Sequence, residues 1–375
     1  MDLEWSEAER GAAQGARQAL DELGPGALDE LEAADDHRLE DLTRRALAAL
    51  CRTGYLRLCQ ADRPADALEL VAAGLEIARA SGSLHVAVDA TARLFGSLVC
   101  RHGSDGQRQA ILEPLRRGGV VAGVALRDAA GAGAEARAVA DGSALVVTAR
   151  KPTVVNARLA DWIAVSARID GQPLFALVRR SDRGVTVGPR LRTLGLGGVS
   201  VAAVELDRVR VEADRVLGPF DDDAPLERLA TLHDLVLAIG SVGLMQRLLE
   251  AAKGHASSHG RGGRPIAHYQ EVGFKLAEML TLVQTAELMT CRSAFVLASG
   301  EADARAMLAA THVFSAEMAE KVASMAMQIL AGEGYLAGNV VERGYREAKY
   351  AAVAGRGVER ARMAIADDVL DQFRS

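Results

Sequence analysis

The chain has 375 residues, 49% of them hydrophobic and 25% charged, and its 44 Lys and Arg against 50 Asp and Glu give a formal charge of −6. That length and apolar content exclude global disorder and leave room for two or three structural units. An acidic balance without a basic stripe excludes nucleic acid as a partner, and no apolar run approaches the ~18 residues of a membrane span.

The N-terminal MDLEWSEAER is acidic where a secretory leader is basic and then apolar. Cys51, Cys59, Cys100 and Cys291 stand far apart, without the paired spacing of a zinc site. The expectation is a cytoplasmic protein with reduced, buried thiols, no disulfide framework and no metal site.

Over residues 1–117, apolar positions such as Leu39, Leu42, Ala46 and Leu50 recur at three- and four-residue intervals, which predicts an N-terminal all-α domain. Asp35 and Asp36 read as acids that complement a helix start and face water. From 118 to 220 the texture changes to short runs, ALVVTA, WIAVSA and LFALV, separated by turn pairs such as Asp141-Gly142 and Asp170-Gly171. This predicts a middle antiparallel, β-barrel-like domain. After Asp221-Asp222-Asp223-Ala224-Pro225, helical periodicity resumes to Ser375 with breaks at 260–265 and 332–339, predicting a C-terminal four-helix bundle over 221–375. Strands and helices do not alternate, so a parallel Rossmann sheet is excluded and Gly131-Ala132-Gly133 is not a dinucleotide fingerprint.

Several segments resemble the acyl-CoA dehydrogenase family along nearly the whole chain. HGSDGQRQAILEPLRRG, residues 102–118, is similar to that family's helix-closing Gly...Gln...Leu-Pro segment, and RTLGLGGVSVAAVELDRVRVEADRVLG, residues 192–218, to its last β-domain strands. QILAGEGYLAGNVVERGYREAK, residues 328–349, carries the strongest likeness, to a Gln-x-x-Gly-Gly-x-Gly-Tyr segment followed by an Arg-Asp-Ala-Lys-like turn.

The resemblance implies FAD, an acyl thioester of CoA or of a carrier protein as substrate, and an electron acceptor such as an electron-transfer flavoprotein. It also implies a dimer or tetramer, homomeric or heteromeric, because the family's Gln-x-x-Gly-Gly region meets FAD held mainly by another subunit. Gln328 and Gly332 are then cofactor contacts, the glycine allowing close backbone approach; the plainer reading is that Gly332-Glu333-Gly334 only turns one helix into the next. Asn156 ends Thr153-Val154-Val155-Asn156, where the family has Trp-Ile-Thr-Asn against the flavin. The family's flavin-contacting Thr-Glu-Pro-Gly-Ala-Gly-Ser-Asp is reduced here to a segment spanning Arg127 to Glu135. Arg261 or Arg264 replaces a shifted family arginine on pyrophosphate or merely solvates a glycine-rich loop, and Gln270 is kept.

The family's desaturation takes a proton α to the thioester carbonyl while a hydride leaves the β-carbon. Its usual catalytic glutamate falls on Gly355, which retains the backbone N–H that the family uses to hold the thioester oxygen. Some members place the glutamate instead where this chain has His233, which is therefore the surviving base candidate, with Asp234 beside it to orient it or raise its basicity. The plainer reading is a polar residue in the first turn of a helix. The implied function is desaturation of an acyl thioester. The alternatives are a non-catalytic partner subunit of a heteromeric dehydrogenase and a flavin monooxygenase-like relative.

Overall fold

The computed structural model describes residues 5–59, 63–128 and 135–372. The N-terminal helices begin with α1 (Glu7–Asp21), started by a Ser6/Glu9 capping box, and α2 (Asp36–Arg52), whose first turn is capped by the Asp35 carboxylate. Asp36 pairs with Arg158 and Arg190 rather than with solvent alone. They are followed by α3 (Pro64–Ala80), α4 (Gly82–Asp89), a π-helical stretch (Ala90–Phe95) and α5 (Gly96–His102).

The middle layer is a sheet of β1 (Ala122–Ala125), β2 (Arg137–Asp141), β3 (Ala144–Val155), β4 (Trp162–Ile169), β5 (Gln172–Val178), β6 (Val185–Val187), β7 (Val201–Glu212) and β8 (Val216–Leu217). Its order is β6-β7-β3-β2-β4-β5-β8; every pair along that path is antiparallel except β2–β4, and β1 also runs parallel to β4. Asp170 and Gly171, at φ +49° and +86°, close the two-residue β4–β5 turn between the paired Ile169 and Gln172. Two consecutive left-handed residues suit the twist of a tight hairpin, which explains the Asp-Gly choice.

The chain then forms α6 (Ala224–Ser258), a small hairpin of β9 (Gly260–Arg261) and β10 (Arg264–Pro265), α7 (Gln270–Ser299), α8 (Ala304–Leu330), α9 (Val340–Glu347), α10 (Lys349–Val353) and α11 (Gly357–Gln372). Helix α6 is the hub: Ile239, Val242, Met245 and Leu248 share one buried core with Val71 and Leu75 of α3, Met279 and Val283 of α7, and Val322 and Ala326 of α8. By length and apolarity α6 alone among the described helices passes for a membrane span, yet 67% of its apolar window is buried inside the protein, as in a core helix. Cys59 is buried and the other three cysteines half-buried, and none is paired. Gln107 joins the helical block to the sheet, its amide donating to the carbonyls of Asp214 and Val216.

Candidate active site

Helix α6 begins at Ala224, so His233 lies in its third turn, not its first as the sequence suggested. There it meets Gly355, which links α10 to α11. A Cβ built on Gly355 lies 3.2 Å from His233 Nδ1 and 3.3 Å from Leu237 Cδ1. The locus that lacks a carboxylate and the imidazole offered in its place are thus one locus. Gly355 sits at φ +59°, a left-handed conformation that side-chain-bearing residues resist, and its N–H meets no acceptor among the described residues. It is a donor without a protein partner among the described residues, on the residue whose Cβ position adjoins the imidazole.

Asp234 acts on His233 only as a nearby charge that raises its basicity, and makes no hydrogen bond to it among the described residues. As the next residue along the helix it points about 100° away, and its carboxylate pairs with Arg356 and lies 3.2 Å from His312 Nδ1. His312 is anchored through Nε2, 2.7 Å from the Ala351 carbonyl, and Arg356 reaches Glu227 at 3.3 Å. Burial opposes charge on Asp234, but His312 and Arg356 outweigh it and hold the carboxyl below the ordinary carboxylate range. The Asp234 carboxylate is therefore neutralised by Arg356.

His233 receives less help. Desolvation pushes its imidazole down to about 4, and His312 and Arg356 add to that push against the smaller pull of Asp234. The ring is neutral at physiological pH and free to accept a proton, but it is a weaker base than an ordinary histidine.

A stability profile should show this. An unfolded imidazole takes up a proton near pH 6.5 while the folded one holds out to about 4, so stability present above pH 6.5 is lost as pH falls toward 4. Over that window the loss attributable to His233 amounts to about 3 kcal/mol at most. Urea melts between pH 7.5 and 4.5 should show a shallower decline for His233→Gln; identical slopes would show that the part-buried imidazole is not the cause. Asp234, held low, titrates only in stronger acid.

The remaining predicted residues lie elsewhere. At about 1.5 Å per residue, His255 in the last turn of α6 is about 33 Å along the helix from His233, and Arg261, Gln270, Gln328 and Gly332 gather near that far end. All four are exposed, the Arg261 guanidinium has no partner among the described residues, and nothing fills the space beside Gly332. Arg264 lies over the Tyr269 ring at 4.8 Å. One chain thus carries two separated groups, the His233–Gly355 locus and an open polar far end.

Asn156 belongs to neither. It is fully buried at φ +63°, and its amide nitrogen donates to the Ala87 and Ala122 carbonyls at 2.8 and 3.0 Å. Those bonds tie β3 to α4 and β1, so its donors are spent on the fold. Of the Arg127–Glu135 segment, residues 129–134 lie outside the described residues.

A cavity of about 160 Å³, walled by Leu70, Leu98, Leu229, Leu232 and Leu297 with Arg101 and Arg228 among its lining, includes neither His233 nor Gly355. It is not the reacting locus.

Two groups escaped the sequence reading because their members are far apart in the chain. Arg93, fully buried in the π-helical stretch, has Asp89 at 3.7 Å as its only countercharge among the described residues, while Tyr55 donates to the other Asp89 oxygen at 2.6 Å. His85, one turn earlier, sits 2.9 Å from the Val236 carbonyl, fastening this cluster to α6 just beyond His233. The second group, His255, His259 and Glu333, lies at the far end of α6.

Comparison with known proteins fits this architecture. Residues 231–370 match the family described as acyl-CoA dehydrogenase, C-terminal domain. The chain is 30% identical to the 3-(aryl)acrylate reductase of Clostridium sporogenes over 79% of this chain and 81% of that one. It is 32% identical to the probable acyl-CoA dehydrogenase FadE25 of Mycobacterium tuberculosis over 73% of each. Its fold superposes on a glutaryl-CoA dehydrogenase from Mycobacterium smegmatis, solved in complex with FADH2, with a TM-score of 0.86 at 19% identity, covering 97% of this chain and 95% of that one.

Proposed function

Since the chain belongs to the acyl-CoA dehydrogenase family, we propose that it is an FAD-dependent oxidoreductase acting on the α,β-carbons of an acyl thioester, with His233 as its proton-transfer group. The observation that carries this reading is the 3.2 Å approach of His233 Nδ1 to the vacant side-chain position of Gly355. His233 takes the α-proton, and the unpaired Gly355 N–H donates to the thioester oxygen as negative charge develops there. Bound FAD would supply the two-electron chemistry.

The open far end fits the cofactor's phosphate and adenosine parts, with Arg261 as cation, Gln270 and Gln328 as hydrogen-bonding amides and Gly332 giving backbone access. Their distance from His233 along α6 supports a composite site in which one subunit's far end completes another's reacting locus, hence a dimer or tetramer. Phe274, Leu288 and Phe295, exposed on α7 at multiples of seven residues, together with exposed Tyr335 and Leu336, offer apolar surface for that contact. The same geometry serves either direction: a relative named as an acrylate reductase adds hydrogen where a dehydrogenase removes it, and the electron partner's potential decides. Acyl-CoA or an acyl-carrier protein as substrate, an electron-transfer flavoprotein as partner and a cytoplasmic location complete the reading.

One observation favours a second reading. An imidazole held at about 4 is a poor base, which suits a non-catalytic subunit whose sister chain supplies a glutamate. Purifying the chain alone, recording its flavin spectrum and adding acyl-CoA without oxygen separates the two. Flavin that bleaches supports the first; a colourless chain that gains flavin only with a sister subunit supports the second and removes the first.

A further inference from the structure

We propose that His255, His259 and Glu333 form a binding site for a single zinc-like divalent cation, clamping the end of α6 to the turn that follows α8. The histidines stand at i and i+4, His255 in the last turn of α6 and His259 at its C-cap, so they lie about one turn apart where the helix ends. Their rings stack with centroids 4.7 Å apart and an interplanar angle of 20°. Each turns Nδ1 toward a different oxygen of one carboxylate: His255 lies 3.5 Å from Glu333 Oε2 and His259 3.6 Å from Glu333 Oε1. The three ligand atoms lie within 4.8 Å of one another.

These separations are too long for hydrogen bonds, which close to about 2.7–3.2 Å between nitrogen and oxygen. They fit two ligands on a shared cation. Four ligands about 2.1 Å from a tetrahedral ion stand about 3.4 Å apart, whereas an octahedral ion at that radius brings neighbouring ligands to about 3.0 Å. Two imidazoles and a carboxylate are also the donors of a borderline ion such as zinc rather than of calcium or magnesium, which take oxygen.

The local fold presents Glu333 for this purpose. After α8, Ala331 turns at φ +49° and Glu333 opens a short 3-10 turn. A Cβ on Gly334 would lie 2.9 Å from Leu330 Cβ, so only glycine lets the turn fold this tightly on α8. His255 is mostly covered, while His259 and Glu333 are about half exposed, which leaves a ligand position open to water. The clamp would join two segments that flank it in the chain, the β9–β10 hairpin bearing Arg261 and the turn bearing Gly332.

The test uses the full chain after removal of metal with EDTA. Calorimetric titration with zinc chloride should give one ion per chain, and cobalt(II) should give the intense visible bands of tetrahedral coordination. Both should disappear in His255→Ala/His259→Ala, and Glu333→Gln, which keeps the side chain's size, should weaken zinc binding at least tenfold. Zinc should raise the wild-type Tm by a few degrees and leave the double variant's unchanged. Metal-free melts matching the wild type would establish that the variants fold. Absence of saturable zinc binding in the wild type, or undiminished binding in the double variant, would overturn the proposal.

Discussion

Asp234→Ala should cost about 3–5 kcal/mol of folding stability, because it removes the one fully buried carboxylate paired with Arg356 among the described residues and leaves only the exposed Glu227. Asp234 is fully buried, the Arg356 side chain is 14% exposed, and His312 is enclosed beside them. Removing the carboxylate leaves His312 without its acidic neighbour and Arg356 with only the exposed Glu227, where water reaches poorly. Arg356→Ala should also destabilise, since Asp234 then depends on His312 alone. The double variant should lose less than the two single losses combined, the difference being a coupling of about 0.5–3 kcal/mol. Urea denaturation of the four proteins closes the cycle. Strictly additive losses would mean that the contact contributes nothing beyond its separate side chains.

That pair also shows where the sequence was legible. Helical spacing, apolar runs and Asp-Gly turns announce the order of helices, strands and helices, because periodicity and turn chemistry are local properties. The match of Gly355 to the lost glutamate and of His233 to its substitute came from linear register, and the two residues meet in space. What was misjudged depends on direction. Asp234 follows His233 in the chain, but a helix turns neighbours apart, and its real partners stand 78 and 122 residues away. Asn156 was matched to a cofactor segment by register, whereas its amide donors point inward to Ala87 and Ala122. Arg93 and the His255–His259–Glu333 group gave no signal beyond a four-residue histidine spacing, since their remaining contacts are made by chain reversal.

If the chain is active as purified, His233→Ala should lower thioester turnover by about 10²- to 10⁴-fold, the usual range for loss of a general base. Flavin content should change little, because the proposed phosphate contacts lie at the other end of α6. Unchanged turnover would remove His233 from the reaction. The informative companion is His233→Glu. It places a carboxylate on a helical backbone that accepts any ordinary side chain, next to the space facing Gly355, at the position where some family members carry their base. Gly355→Glu is the weaker design: at φ +59° a side chain costs about 1–3 kcal/mol, and its Cβ would crowd His233 Nδ1 at 3.2 Å. Adding Arg356→Gly would not relieve that contact and would deprive Asp234 of its arginine partner. His233→Glu should therefore recover activity that His233→Ala lacks, with its rate rising as the carboxylate ionises rather than following the imidazole. The shift in pH profile distinguishes proton transfer at this locus from packing, which both substitutions would disturb alike at every pH.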